Sequence, residues 1–414
     1  MPPNAANADY AARIAFVVEL AERLHGYGTT AQRLEGAIDA VAQKLGLECE
    51  PWSNPTGIIL SFSDPARPAG ESDTTRVIRL APGDNDLSKL CKADHIAEEV
   101  MAGRLDVASG HAALRQLDYP LRARARAMQV LGFGLAAAGM AGLLRLPWLD
   151  IGTAGITGLL IGLLHLVSGV RPQLREAEDA VAGLIAGTVA VLVAAWVGPL
   201  NLNTVIIVSL IVLLPGMSLT NAVNELTSQH LVSGTARFAG ALATVMKLAV
   251  GTMIALTVAD MLGVEAQVRA LRPQPEWLGW AALVVVAYAL AVLFRAQRRD
   301  YPLVMVSVVA AYAVSKFASD AWGAPVGIFL SALAMTAAGN AYARWVKRPG
   351  ALVRLPGIIV LVPGSASLRG MLDVVQRQDI DVGQVATLGV INILLALVAG
   401  LLFGNLLLPT RRNL

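Results

Sequence analysis

Ten apolar stretches follow one another through the last three hundred residues, each at or near the roughly 20 residues a helix needs to cross a hydrocarbon core, and no water-soluble globule could bury them all. Their approximate limits are 128–146, 148–168, 179–197, 201–217, 236–262, 277–295, 302–319, 322–343, 351–364 and 384–408. The ninth is short, and its interior holds Pro356. In lipid every backbone polar group must be satisfied within the protein, so the class is an α-helical polytopic membrane protein.

The composition agrees, with 55% apolar and 15% charged residues in 414, far from soluble usage. Charge is concentrated in the first 120 or so residues, which marks a small N-terminal α/β domain at 1–118 ahead of a membrane body at 119–414. The opening Met-Pro-Pro-Asn-Ala-Ala-Asn lacks the basic patch and apolar core of a signal peptide, so this head is expected to stay in the cytoplasm. Arginine and lysine crowd alternate gaps, at 122–126, 171–175, 237, 295–299, 344–354 and 411–412, whereas the intervening gaps hold Arg145, Arg269, Arg272, Lys316, Arg369 and Arg377. By the positive-inside rule this places both termini in the cytoplasm of a multi-pass inner-membrane protein. The net charge of +3 lies in those gaps and reads as orientation; it does not point to nucleic acid. Cys49 and Cys91, a lone pair in a reducing compartment, read as free thiols.

An internal repeat organises the body. Leu213-Leu214-Pro215-Gly216-Met217-Ser218 returns about 150 residues later as Leu361-Val362-Pro363-Gly364-Ser365-Ala366-Ser367, pairing Ser218 with Ser367, Leu219 with Leu368, Asn224 with Asp373 and Gly234 with Gly383. Five spans per copy is an odd number, so the second repeat (264–414) must lie upside down relative to the first (119–263). Inverted repeats with helices broken at matching positions are the architecture of secondary transporters. A broken helix frees backbone amides and carbonyls at membrane depth. The candidate substrate-binding residues are therefore Gly216, Ser218, Thr220, Asn221 and Asn224 at one break, and Gly364, Ser365 and Ser367 at the other, with Asp373 as a coupling group. Lys247, about 11 residues into the fifth apolar stretch, is expected near mid-membrane, either as substrate counter-charge and coupling group or in a structural ion pair. Asn392 is a further candidate, for substrate or for an interhelical hydrogen bond. Glu176, Glu178 and Asp179 read as solvated. Gly158 with Gly162 and Gly183 with Gly187 have the spacing of close helix packing.

In the head, helices are expected over 9–25, from about 31 to a close at Gly46, 87–104 and 106–117, with Thr29 or Thr30 capping the second and strands at 47–52, 57–63 and 75–80. His25, His95, Asp84, Asp94 and Cys91 are residue types that hydrolases use, but no nucleophile elbow, zinc motif or phosphate loop surrounds them, so neither catalysis nor a metal or cofactor is expected. Gly26-Tyr27-Gly28 reads as a helix break.

Taken together, Gly28-Thr29-Thr30-Ala31-Gln32-Arg33-Leu34-Glu35, Asn54-Pro55-Thr56-Gly57-Ile58, Leu214-Pro215-Gly216-Met217-Ser218-Leu219-Thr220-Asn221-Ala222, Ser233-Gly234-Thr235-Ala236-Arg237 and Val362-Pro363-Gly364 resemble the threonine/serine exporter family of bacterial membrane proteins over nearly the whole chain. The resemblance implies about ten spans and export of threonine and serine driven by the proton gradient. Some similar proteins split the halves between two chains and are associated with carboxylate export. The family's head is described as hydrolase-like, which keeps a membrane-anchored hydrolase open as an alternative to a transporter of amino acids or small carboxylates. The expected partners are an amino-acid substrate, protons and the bilayer; oligomeric state stays open.

Overall fold

The structure, a computed structural model, describes residues 9–66, 73–119, 122–269, 273–362, 364, 368, 370, 372 and 380–409, without the side chains of 380–387. The chain opens with α1 (Tyr10–Gly26) and α2 (Ala31–Lys44), then an antiparallel sheet β1 (Glu48–Asn54), β2 (Gly57–Ser63) and β3 (Thr74–Arg79), then α3 (Leu87–Met101) and α4 (Val107–Arg115). Strand β2 is central, with Trp52 opposite Ile59 and Ile58 opposite Ile78. Its alternation sends Ile58, Leu60 and Phe62 into a core shared with Phe16, Leu20, Leu34 and Ile38. The imperfect pattern of β3 has a simple cause: it is an edge, and Val77 is 75% exposed. Asp86 and Asp106 cap α3 and α4 by accepting from Lys89 N and Ser109 N, each at 2.9 Å.

The expected threonine cap on α2 is not made. Thr30 occupies the N-cap position without a side-chain bond, and the amide of Ala31 donates instead to Glu225 Oε1 at 3.1 Å, from a carboxylate 194 residues away. The head's core likewise does not stop at residue 118. Ala291, Phe294, Ala296, Val304, Ala351 and Leu352 of the membrane body belong to the same cluster, and Leu87 N donates to Phe294 O at 3.0 Å.

The body is a polytopic helical bundle: α5 (Ala123–Leu143), α6 (Trp148–Ser168), α7 (Pro172–Trp196), α8 (Leu202–Ser209), α9 (Gly216–Thr227), α10 (Leu231–Met261), α11 (Glu276–Leu293), α12 (Tyr301–Trp322), α13 (Ala324–Val346), α14 (Ala351–Ile359) and α15 (Ile380–Leu407). Eight helices among the described residues are long and apolar enough to cross a membrane. The fourth and ninth of the ten expected stretches are not among them, because each begins as a short helix, α8 or α14, that stops. In the first case the ladder closes where Leu213 N and Leu214 N both donate to Leu210 O, at 2.9 and 3.2 Å. Pro215 has no amide to continue it, and its ring opposes the carbonyl one turn back. Pro-Gly then opens a new helix, α9.

Small residues set the packing between long helices, as their spacing implied. A Cβ on Gly158 would lie 2.8 Å from Ala137 Cβ across the α5–α6 contact, and one on Gly187 would lie 2.6 Å from Ala255 Cβ across α7–α10. In the second half α15 packs on α13 the same way, with a Cβ on Gly404 reaching Thr336 Cβ at 2.6 Å. One closing device ends both α5 and α11. Arg145 (φ 58°) and Arg295 (φ 52°) adopt the left-handed conformation, and Leu146 N and Ala296 N reach back to Ala141 O and Ala291 O at 3.0 and 3.1 Å.

Candidate functional site

The two breaks meet. A Cβ built on Gly364 would sit 3.2 Å from Leu214 Cβ and 3.5 Å from Gly216 Cα, and one built on Gly216 would collide with Val362 Cγ1 and approach Gly364 Cα to 3.5 Å. Between them and α5, α6 and α11 lies a cavity of about 520 Å³, walled by Phe133, Ala136, Met140, Leu143, Leu290 and Leu293. The chain-breaking residues supply its polar backbone. The first intrahelical bond of α9 runs from Leu219 N to Pro215 O at 2.9 Å, so the amides of Met217 and Ser218, both at the wall, precede the ladder. The carbonyl-bearing ends of α8 and α14 reach the same wall through Ile211, Val212, Ile359 and Val360. Positive and negative helix ends thus face one space.

At the end nearest the head the wall turns polar: Gln129 from α5, His165 from α6, Arg295 after α11, and Gly83, Asp84 and Asn85 from the loop before α3. Arg295 reaches Asp86 at 3.6 Å. With the Gln129 amide oxygen turned towards it, the guanidinium also donates from Nε and Nη2 at 2.6 and 3.0 Å. His165 Nδ1 is 2.7 Å from Glu178 Oε1, and the imidazole lies 5.3 Å from the Phe133 ring centroid. Glu178, expected to be solvated, is instead a buried partner, with its side chain 13% exposed.

Of the sequence candidates, Gly216, Ser218 and Gly364 line this cavity. Thr220 is buried on α9 without a hydroxyl partner. Asn221 borders a separate small hollow with Thr29, Thr30, Arg33 and Arg354, at the seam between head and body. Asn224 contributes its carbonyl to Ser228 N and Thr227 Oγ1. Asn392 is exposed on α15. Ser365, Ser367 and Asp373 lie outside the described residues.

Lys247 stands near the middle of α10, which begins at Leu231 and not at 236, and it faces the early turns of α7, where it meets the ion-pair alternative. There its Nζ donates to Glu176 O at 3.3 Å and pairs with Asp179 at 3.6 Å, with the lysine side chain 47% exposed. It is not among the residues lining the cavity.

Sequence reasoning missed Gln129 and used Arg295 only as an orientation charge; Asp84 was noticed only as a hydrolase-type residue. It also missed Glu225, which is wholly buried. Besides capping α2, its carboxylate accepts from Ser233 Oγ at 2.8 Å and from Arg237 Nε and Nη2 at 3.0 and 3.1 Å. Nearby, Glu35 Oε2 meets His230 Nε2 at 3.0 Å. Other reactive types in the head are enclosed. His25 Nε2 faces the Asn54 carbonyl at 3.1 Å, and burial pushes the Cys49 and Cys91 thiols up to about 12, which leaves them protonated and inert near neutrality.

Two family models match this chain: one for a threonine/serine exporter over residues 15–259, the other described as "Threonine/Serine exporter, ThrE" over residues 280–407. Among curated proteins, an uncharacterised protein of Schizosaccharomyces pombe is 23% identical over 380 residues, 88% of this chain and 49% of the relative. "Pheromone-regulated membrane protein 10" of Yarrowia lipolytica is 24% identical over 373 residues, covering 86% of this chain and 30% of that protein, and its namesake in Pichia sorbitophila is 25% identical over 394 residues, covering 90% and 38%. This chain spans about half the length of these relatives or less. No solved structure matches significantly.

Proposed function

Because the chain belongs to the threonine/serine exporter family, we propose that it exports small hydrophilic amino acids, serine and threonine first, by alternating access between two inverted halves. In this reading residues 119–263 and 264–414 form the halves, the protein stands in the cytoplasmic membrane with the head and both termini inside, and the proton gradient drives transport. The observation that carries it is the meeting of Gly216 and Gly364, one from each half, at the wall of one cavity. A zwitterion fits that wall: the amides of Met217 and Ser218 suit a carboxylate, and the carbonyl ends of α8 and α14 suit an ammonium.

Further correspondences support the inversion. Arg145 and Arg295 close the first helix of each half alike. A buried aspartate opens the second, Asp150 accepting from Asn201 N at 3.2 Å just before α8, and Asp300 held by Arg348 at 2.6 and 2.7 Å just before α14. In each half the same acid therefore holds the start of the broken span.

His165, paired with Glu178 at the wall, is the group placed to carry the coupled proton. His165→Gln should keep downhill serine counterflow in proteoliposomes and lose gradient-driven export. Arg295 at the wall also favours a second reading, export of small carboxylates. A flux panel of serine, threonine and dicarboxylates, with and without a proton gradient, decides between them. A protein that moves dicarboxylates and no amino acid refutes the first reading, and uphill export insensitive to gradient collapse refutes the coupling.

A further inference from the structure

The loop at 81–86 separates two spaces. On one side is the 520 Å³ cavity between the breaks; on the other a polar hollow of about 290 Å³ is lined by Glu22, Arg23, Tyr27, Lys89 and Asp118. Gly83, Asp84 and Arg295 border both, so at this point the wall is one strip of backbone and one guanidinium thick. The loop is seated firmly on the head. A Cβ on Gly83 would run into the His25 carbonyl and lie 2.7 Å from the Gly26 carbonyl carbon. The Asn85 side chain occupies the space above Gly28, whose φ of 80° and missing Cβ admit it, since a Cβ there would fall 2.6 Å from Asn85 Oδ1. The Gly26-Tyr27-Gly28 motif, legible in sequence only as a helix break, is thus the bed of this loop.

Towards the membrane helices the loop is tied by Asp86 to Arg295 at 3.6 Å and by the adjoining Leu87 N to Phe294 O at 3.0 Å. The aspartate side chain is 5% exposed and the arginine 25%, so this pair is sheltered from the screening that makes surface pairs weak. Asp84 carries the opposite sign to Arg295, is exposed, and borders the same passage. With Asp86 also at its edge, the passage is flanked by fixed charges of both signs, which favours a solute that carries both charges over one that carries a single sign.

We propose that the 81–86 loop is the portal between the head-side hollow and the transport cavity, that Asp86–Arg295 is its latch, and that Asp84 with Arg295 selects free α-amino acids as they pass; this rests on the exporter reading. The head is then a working part of the transport path and Asp84 a specificity-determining residue.

The portal is tested without any substrate. In the full-length protein carrying Ser218→Cys, labelling by a membrane-impermeant anionic methanethiosulfonate reagent applied on the head side reports how readily the cavity opens; Cys49 and Cys91 are buried, and the unsubstituted protein sets the background. Asp86→Asn, which keeps a good cap on α3, and independently Arg295→Gln, should each speed that labelling about tenfold, the shift expected on losing a sheltered ion pair. Equal rates with latch intact and latch cut would overturn the portal. For selectivity, Asp84→Asn should lower the preference for serine over glycerate, which has a hydroxyl in place of the ammonium, by about tenfold in proteoliposome flux, and an unchanged ratio removes Asp84 from the filter. If the unsubstituted protein moves neither solute the exporter reading itself falls, while the labelling rates still decide the portal.

Discussion

Removing Glu225 should loosen the head from the membrane body, and the size of the effect follows from what its carboxylate touches. The side chain is fully enclosed, binds Arg237 through two nitrogens, accepts from Ser233 Oγ and receives the first amide of α2. Deleting one member of a buried ion pair costs about 3–5 kcal/mol. Arg237 keeps a 20% exposed side chain and can recover some hydration, which puts the pair near the lower end, about 3 kcal/mol. Loss of the α2 acceptor adds about 1 kcal/mol. At about 2–4 °C per kcal/mol for a cooperative unit of about 150–250 residues, Glu225→Ala should therefore lower Tm by about 8–16 °C. Glu225→Gln keeps one oxygen to accept from the Ala31 amide, while its NH2 can only donate to Ser233 Oγ and faces the Arg237 donors, and it should lose about half as much. A thiol-reactive fluorophore provides the readout, because Cys49 and Cys91 are free, buried and both in the head. A Glu225→Ala transition within about 1 °C of the unsubstituted protein would show that the head is held by its apolar seam alone.

Gly216→Ala places a methyl group against Val362, whose Cβ would be 3.3 Å away; parting the two breaks should cut serine flux at least about tenfold for an overpacking cost of about 1–3 kcal/mol, and normal flux would refute the need for their contact. Lys247→Ala should leave flux within about twofold, because an ion pair this exposed contributes about 0–1 kcal/mol; abolished export from a folded protein would return Lys247 to the transport path. One pH dependence of the head follows from His25, whose pKa is held below the ordinary 6.5 by burial first and by the Arg237 charge, against the hydrogen bond to the Asn54 carbonyl, which raises it. The unfolded chain then binds the proton more tightly, so this contribution is complete above pH 6.5 and is lost as pH falls through the lower folded value. Tryptophan-detected melting across that range should decline with acid, and His25→Asn should flatten the decline.

Features that repeat along one dimension were legible in the chain; those made by contact between distant segments were not. Periodicity located the helices and strands of the head to within a few residues, because all but the edge strand β3 bury one face. Apolar length located the long membrane helices, because lipid allows no alternative. The first Pro-Gly marked where a span breaks, since Pro215 has no amide to continue the ladder, whereas Pro356 sits within α14. By contrast, Glu225 looks like any helix carboxylate until α2 is brought against it, and Arg295 looks like an orientation charge until Gln129 and Asp86 enclose it. Lys247 could be read two ways for a related reason: only the packing of α7 on α10 brings Asp179 within reach of it. The capping error at Thr30 is the same effect on a smaller scale.

Both broken spans are anchored at the end away from the break. Asp150 holds Asn201 before α8, and Asp300 holds Arg348 before α14, while the long helices beside them pack through glycines closely enough that backbone meets backbone, as where a Cβ on Gly183 would strike the Leu248 carbonyl. Such contacts have little slack, because close-packed surfaces transmit displacement and do not absorb it. The compliant elements are then the turn residues at 211–215 and at 360–362, several of which also face the cavity. A motion that exposes the cavity alternately to each side should hinge there, with α7–α10 and α13–α15 moving as rigid pairs. The head, seated across the ends of α11, α12 and α14, would have to release or follow one of those units, which is why its attachment at Glu225 and its latch at Arg295 should affect the same cycle.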